Sequence, residues 1–349
     1  MCPVQLDVDR TSVALRTPPP DYRNARSSCC GLSRRIACSG LVVSAGIGPD
    51  FENMSPRDTS VAGDWSIRGR AWRLTRPLAR FLRSRKSETA PPWDVRANLA
   101  SGPLPSDLSG RLAVVTGAAQ GIGLGIARRM AAAGARVLAV DKNAEALTAA
   151  FPGGECIPIF ADLSLDADQL ADRLVRDHGP IELIVNNVGI ETRHRFLDLE
   201  PEDFDLVFNT NLRGPWFFTR RLVQALLSVH RNGAIIFISS VHDTFIRLSP
   251  HYSASKAAVS MLARELAKEL APHGIRVNVI SPGWIFRPKG PEDRPDPSLA
   301  RWIVPLGQPG KPDDIARMAV VLLSDEWSGY MTGANVRVDG GQTLLTWST

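Results

Sequence analysis

No apolar run in this chain approaches the roughly 18 residues that a membrane span needs. The longest candidate, Ile36 to Gly48, is short and broken by Ser and Gly, so a membrane-spanning protein is excluded. The 28 Gly and 26 Pro are dispersed, which excludes a fibrous repeat. Cysteine is sparse: Cys2, Cys29, Cys30 and Cys38 lie near the N-terminus and only Cys156 lies beyond. A CC pair with one distant Cys matches no common zinc spacing, and the histidines show no metal-ligand pairing, so no catalytic metal is expected. The odd cysteine count, and an N-terminus with early acids and no apolar signal region, argue for a reducing compartment, read as the cytoplasm. Tyrosine is scarcer still, with three in 349 residues.

Charge is scarce where it would matter for nucleic acid. Of the net +5, residues 1–100 contribute 16 basic and 9 acidic side chains, while the remainder holds 25 basic and 27 acidic. The larger part of the chain has no general electrostatic claim on nucleic acid. Acids are missing altogether from residues 65–86, which carry eight basic residues. There Leu74, Leu78, Phe81 and Leu82 fall at helical spacing. A basic amphipathic helix making weak contact with an anionic membrane surface, and a solvated linker interrupted by Pro77, are both open. So is translation starting at Met54.

Residues 1–106 otherwise read as an irregular extension: "TPPPDY", "RSSCCGLSRR" and "SETAPPWDV" have no sustained period. From about Leu108 the pattern changes. "RLAVVTG", "RVLAVD", "CIPIF", "IELIVNN", "GAIIFISS", "IRVNVIS" and "ANVRVDGG" are short apolar runs rich in β-branched residues. Helical patterns separate them, at Ile122 to Ala133, 166–178, about 202–230, 253–271 and 312–324. Such alternation predicts right-handed βαβ units, and hence an α/β domain over 107–349 with a doubly wound parallel sheet of about seven strands.

Between the first strand and helix stands Thr116-Gly117-Ala118-Ala119-Gln120-Gly121-Ile122-Gly123. Gly117 permits a sharp turn, Gly121 lets backbone approach a phosphate, and Gly123 lets helix pack on strand; the helix N-terminus then offers N–H groups to a diphosphate. The loop is one residue longer than the commonest dinucleotide fingerprint. Asp141 ends the second strand, where a carboxylate accepts from a ribose 2′-hydroxyl and repels a 2′-phosphate. NAD is therefore expected over NADP. Gln120, where an NADP binder would often place Arg, agrees; Lys142 and Arg136 keep NADP open. Asp141 could instead cap the following helix, a task for which Asn143 competes.

Tyr252 and Lys256 lie four residues apart, on one face of a helix. A phenol is a poor base at neutral pH, and a neighbouring ammonium lowers its pKa into a usable range. Ser240, after the strand "AIIFIS", is placed to hold the same substrate oxygen.

Together these motifs resemble the short-chain dehydrogenase/reductase family, in its single-domain branch. The resemblance rests on TGAAQGIG (116–123), Asp162-Leu163, NNVG (186–189), Asn211-Leu212-Arg213-Gly214, ISS (238–240), YSASK (252–256), Ser281-Pro282-Gly283 and VDGG (338–341), in order over 108–349. It implies a secondary alcohol–ketone oxidoreductase with a catalytic set of Asn211, Ser240, Tyr252 and Lys256. Tyr252 would be the general acid/base, Ser240 the donor to the carbonyl oxygen, Lys256 a ribose contact that tunes Tyr252, and Asn211 the holder of a relay water. Gly117, Gln120, Gly121 and Ile122 would meet the cofactor, Asp162 and Leu163 would flank its adenine, Asn187 would touch a ribose, and Ile285 the nicotinamide amide. A homo-oligomer, tetramer or dimer, is implied as well. Leu262, Leu266 and Leu270 would line its interface or the core.

Three positions depart from the family. Val188 stands where Ala is usual. Ser240 precedes Tyr252 by one residue fewer than usual, which makes Ser239 a rival for the catalytic hydroxyl. Arg287 replaces a Thr that normally helps hold the nicotinamide carboxamide; it could instead meet an anionic substrate or face water. Glu191 and His242 resemble the glucose dehydrogenase branch and could bind substrate hydroxyls, so a sugar or polyol competes with a 3-oxoacyl thioester as substrate. Each has a plain alternative, as a surface Glu and as a loop His without a fixed partner. Residues 284–304 read as a substrate lid, with Trp284, Phe286 and Trp302 forming an apolar wall. The functional rival is a non-catalytic dinucleotide-binding module recruited through its basic extension.

Overall fold

The computed structural model describes residues 107–287 and 295–344. The extension, its segment 65–86 and four of the five cysteines lie outside the described residues, as does the middle of the expected lid.

Seven parallel strands form one sheet in the order β3-β2-β1-β4-β5-β6-β7. They are β1 (Leu112–Thr116), β2 (Arg136–Asp141), β3 (Ile157–Phe160), β4 (Leu183–Asn186), β5 (Gly233–Ile238), β6 (Ile275–Pro282) and β7 (Asn335–Val338). β1, β4, β5 and β6 are buried at every position, as strands covered on both faces must be. β3, at one edge, alternates half-buried and exposed residues.

Helices cover both faces. α1 (Gly121–Ala132), α2 (Ala144–Ala150) and α8 (Pro312–Leu323) enclose a cluster with Ile126, Met130, Leu147 and Ile315 at its centre. α3 (Leu163–His178), α5 (Gly214–Ser228) and α6 (Pro250–Leu270) enclose the other, around Leu174, Phe218, Leu222 and Val259. Leu262 and Leu270 are buried in this second cluster and Leu266 packs against it, so that leucine row is core. Shorter helices α4 (Pro201–Phe208), α7 (Pro297–Ile303) and α9 (Asp325–Ser328) complete the described chain.

Two helices differ informatively from their sequence pattern. The pattern begins at 166, yet α3 begins at Leu163, because Asp162 caps it through Ser164 N–H and Asp166 is kinked out of helical geometry. The pattern over 202–230 reads as one rod, yet a π-turn, Asn209–Arg213, divides α4 from α5. Pro215 lacks the N–H that an unbroken helix would direct to the Asn211 carbonyl. Gly214 N–H instead reaches back five residues to the Asn209 carbonyl. A β-carbon on Gly214 would lie 2.5 Å from the Leu163 carbonyl oxygen, so the small residue lets α5 begin against α3. Such turns concentrate at functional sites, and this one carries Asn211.

The strand order reverses between β1 and β4, where an open α/β sheet forms its crevice. Thr116 holds this point together. Its buried Oγ1 accepts from Asn187 N–H at 3.0 Å and Val188 N–H at 3.1 Å, and donates to the Val185 carbonyl at 3.3 Å. Thr116→Val keeps the shape and leaves two N–H groups without their acceptor. Chemical denaturation is expected to show a loss of about 3 kcal/mol, at about 1–3 kcal/mol per orphaned buried group; a loss below about 0.5 kcal/mol would show that those donors find other partners.

Candidate active site

The glycines of the loop meet different surroundings. Gly117 has φ +67°, and a β-carbon there would lie 2.9 Å from Asn187 Nδ2. On Gly123 it would lie 2.1 Å from the Gly117 carbonyl oxygen, so this glycine seats α1 on the loop. Gly121, at φ +58°, faces no backbone; only the Arg287 side chain crosses it, with Cδ at 2.8 Å from the β-carbon position. Gln120 caps α1 without a side-chain bond, and the first turn contains no acid. Beneath that arginine the loop has no side chain of its own at Gly121 and keeps uncapped helix donors, as an anion cradle would require.

Asp141 reaches this loop. Its carboxylate accepts from Ala119 N–H and from Asn143 N–H, both at 3.0 Å. Asn143, not Asp141, caps α2, by accepting from Ala146 N–H. Two occupied lone pairs leave a carboxylate acceptor capacity for a ligand. The cations considered for a 2′-phosphate are drawn elsewhere. Lys142 pairs with Asp162 at 3.6 Å, and Arg136 meets His178 at the opposite end of β2, about 17 Å from Asp141 at the rise of a strand.

Asn187 is committed more deeply than its sequence suggests. Its Nδ2 donates to the carbonyls of Thr116 at 2.9 Å and Gly117 at 3.1 Å, tying β4 to the glycine loop. Asn186 is buried and donates to Thr219 at 2.8 Å. Val188 is accommodated by packing on the α3–α5–α6 cluster. Ile285 is pinned by bridging to Gly310, next to the Phe286 N–H bond to the Gly310 carbonyl at 2.8 Å. The VDGG segment braces the same turn from behind, since a β-carbon on Gly283 would lie 2.7 Å from the Asp339 Cα. Within the expected apolar wall, Trp284 and Phe286 are half-buried while Trp302 is 42% exposed.

Asn211, Ser240, Tyr252 and Lys256 converge beyond the loop. Ser240 lies two residues beyond β5 and caps a 3₁₀ turn, Val241–Asp243, accepting from His242 N–H. Ser240 also hydrogen-bonds the Tyr252 phenol, whereas Ser239 faces away. Ser239 donates to the Lys256 carbonyl at 2.9 Å and lies 3.0 Å from Ser260 Oγ, which leaves Ser240 as the hydroxyl of the cleft. Asn211 is gripped on both sides by Ile190, accepting its N–H at 2.8 Å and donating to its carbonyl at 3.0 Å, with a further bond to Ser255. A β-carbon on Gly189 would sit 3.0 Å from Lys256 Nζ and 3.4 Å from Asn211 Oδ1, so this glycine opens the space between the two.

The pair expected on the substrate side, His242 and Glu191, is also fixed. His242 is buried, and its Nδ1 lies 3.1 Å from the Phe245 carbonyl. A carbonyl only accepts, so Nδ1 carries the proton and Nε2 is the acceptor. The imidazole meets the Tyr252 ring edge-on at 6.1 Å between centroids. Glu191 pairs with Arg247 at 3.8 Å. The residue after Arg247 is strained, with Leu248 in the left-handed region at φ +59°.

Sequence reasoning missed a polar hub behind the site. The Asp243 carboxylate accepts from Ser260 at 2.8 Å, Ser281 at 3.1 Å and Asn335 at 2.6 Å, joining the turn after β5 to α6, β6 and β7. These residues are far apart in sequence, so no local pattern reveals the hub. Cys156 lies apart from all of this, buried, with its thiol pushed up to about 12 by that burial.

The electrostatics depart from the simple expectation. Burial pushes the Tyr252 phenol above its usual range, against the lowering effect of its bond to Ser240. Lys256 is buried, donates to the Ile238 carbonyl at 3.0 Å, and is pulled by burial from 10.5 to about 8. Below pH about 8 this lysine is protonated in both folded and unfolded chains, and the cost of the buried charge is full. Between about 8 and 10.5 the unfolded chain binds more protons, so the contribution of Lys256 to stability rises with pH. Subtracting the stability–pH curve of Lys256→Met from that of the wild type is expected to reveal this rise; a flat difference across the window would refute the depressed ammonium.

A family model described as enoyl-(acyl carrier protein) reductase matches residues 117–343. A 3-oxoacyl-[acyl-carrier-protein] reductase of Thermotoga maritima is 37% identical over 248 residues, covering 68% of this chain and 99% of that relative. A 3β-hydroxysteroid dehydrogenase of Eggerthella lenta is 38% identical over 254 residues, covering 68% and 95%. The crystal structure of a short-chain type dehydrogenase/reductase from Mycobacterium marinum superposes with a TM-score of 0.62 at 33% identity, over 69% of this chain and 98% of that one. With the sheet order and the converging tyrosine, lysine, serine and asparagine already in place, these matches make the chain a member of the short-chain dehydrogenase/reductase family, an oxidoreductase that interconverts alcohols and ketones with a nicotinamide dinucleotide.

Proposed function

We propose that the protein is a cytoplasmic, homo-oligomeric dehydrogenase that uses NAD in preference to NADP and exchanges the substrate proton through Tyr252. The observation that carries the proton chemistry is the Tyr252 phenol, bonded to Ser240, with the Lys256 ammonium 5.8 Å from the centre of its ring. The bound dinucleotide supplies or accepts the hydride. Tyr252 exchanges the proton at the substrate oxygen, and Ser240 holds that oxygen in place through a hydrogen bond. Lys256, closer to neutral pH than an exposed lysine, is suited to recharge the phenol, and Asn211 stands beside it to position a relay water.

The preference for NAD is supported by Asp141. Its carboxylate stands at the end of β2 beside the loop, where it would accept from ribose hydroxyls and repel a 2′-phosphate. Gly117, Gln120, Gly121 and Ile122 would line the diphosphate, Asp162 and Leu163 the adenine, the free acceptor of Asn187 a ribose, and Ile285 the nicotinamide amide. For the substrate, the fixed acceptor of His242 and the Glu191–Arg247 pair favour a molecule bearing several hydroxyls, such as a sugar or polyol. The likeness to the Thermotoga reductase supports a 3-oxoacyl thioester as the second reading. Trp216 and Met261, 47% and 54% exposed on α5 and α6, supply apolar surface for a subunit contact.

Binding of the four nicotinamide dinucleotides should rank NAD and NADH first. A panel of polyols and 3-oxoacyl thioesters, followed by NADH absorbance, should then identify a substrate. On it Tyr252→Phe is expected to lose about a thousandfold in turnover while binding NADH as the wild type does. Unchanged turnover would remove Tyr252 from the chemistry.

A further inference from the structure

Arg287 is an unusual group in an unusual place. It lies two residues beyond Ile285, on a turn held rigidly by Gly310 and by the Trp284 N–H bond to Gln342 at 2.8 Å. Its side chain stretches across Gly121, with Nη1 3.6 Å from the β-carbon position of that glycine. Among the described residues it has no ion-pair partner. Gly121 is the first residue of α1, whose opening turn contains neither a capping side chain nor an acid. A cation at the positive end of a helix dipole is electrostatically misplaced unless an anion lies between them. The glycine face it crosses is the one that a dinucleotide diphosphate needs for backbone contact. The charge of Arg287 also reaches the Tyr252 phenol, which places it within the same cleft as the chemistry.

We propose that Arg287 is a ligand of the dinucleotide diphosphate, clamping it from the β6 side against the backbone N–H groups of the glycine loop. The inference rests on the dinucleotide-binding reading above. An arginine fork suits this task, since two parallel N–H groups match two oxygens of a phosphate. The long side chain leaves the face of Gly121 and closes over the ligand, so the residue that covers the bare loop becomes its counterion. The departure from threonine at this position thereby shifts the grip on the cofactor from its nicotinamide towards its diphosphate.

Calorimetric titration of the full chain with NADH and with ADP-ribose, which has the diphosphate but no nicotinamide, tests this. In Arg287→Ala both ligands should bind about tenfold to a hundredfold more weakly, the value of a charge-assisted hydrogen bond or two, and their affinity should fall less steeply with salt. Arg287→Lys should recover part of the loss. Circular dichroism confirms folding, which an exposed side chain should not perturb. If NADH alone weakens, Arg287 serves the nicotinamide and the clamp is overturned. If both ligands bind the variant as they bind the wild type, the arginine serves another anion, and the clamp is again overturned while dinucleotide binding stands. If the wild type binds neither, the dinucleotide reading falls and the clamp falls with it.

Discussion

The site is organised around an ammonium that has been taken out of water. Lys256 is buried, and its recorded hydrogen-bond acceptor is a main-chain carbonyl at the end of β5. A buried charge is tolerated only if its surroundings hold it and compensate it. The surroundings here are the end of a central strand, a glycine that leaves room beside the ammonium, and an asparagine on a turn of irregular pitch. Each depends on something further out: the strand on its place in the sheet, the asparagine on Pro215 and Gly214, the opposite wall on Thr116. The chemical consequence is a lysine whose proton is held loosely and a phenol whose proton is held tightly. In the isolated chain the tyrosine therefore lies further from a usable base than pairing with lysine alone would suggest.

Much of this was legible in the sequence, for physical reasons. Strands buried on both faces read as unbroken β-branched runs, and their alternation with helical patterns gave the doubly wound sheet. The glycine loop was legible because each of its three glycines answers a separate steric demand that only the absence of a β-carbon meets. Tyr252 and Lys256 were legible because helical spacing fixes their shared face.

What stayed hidden was set by tertiary contact. Nothing local tells Ser239 from Ser240; the distinction is made by Ser260 and the Lys256 carbonyl on one side and by Tyr252 on the other. The side-chain N–H donor of Asn187 is used up on carbonyls some seventy residues earlier in the chain. The π-turn hides inside an uninterrupted apolar pattern, because its cause is one proline and one close helix contact. Asn143, rather than Asp141, caps α2, and only the geometry of the β2 end decides between them. His242, which reads as a loop residue, has its tautomer fixed by the Phe245 carbonyl.

The Asp243 hub has a bearing on how the protein is made. It ties the turn that carries Ser240 to Asn335, 92 residues later in the chain. Contacts of such separation form late, because the intervening chain must first be ordered. A ribosome that has delivered Ser240, Tyr252 and Lys256 has delivered the groups proposed to react but not the strand that holds their turn. Until β7 emerges and docks, the carboxylate of Asp243 lacks its last partner. The nascent chain therefore carries these residues in an unfinished setting until about 80 residues beyond Lys256 have followed, and their turn is fully held only once Asn335 is in place.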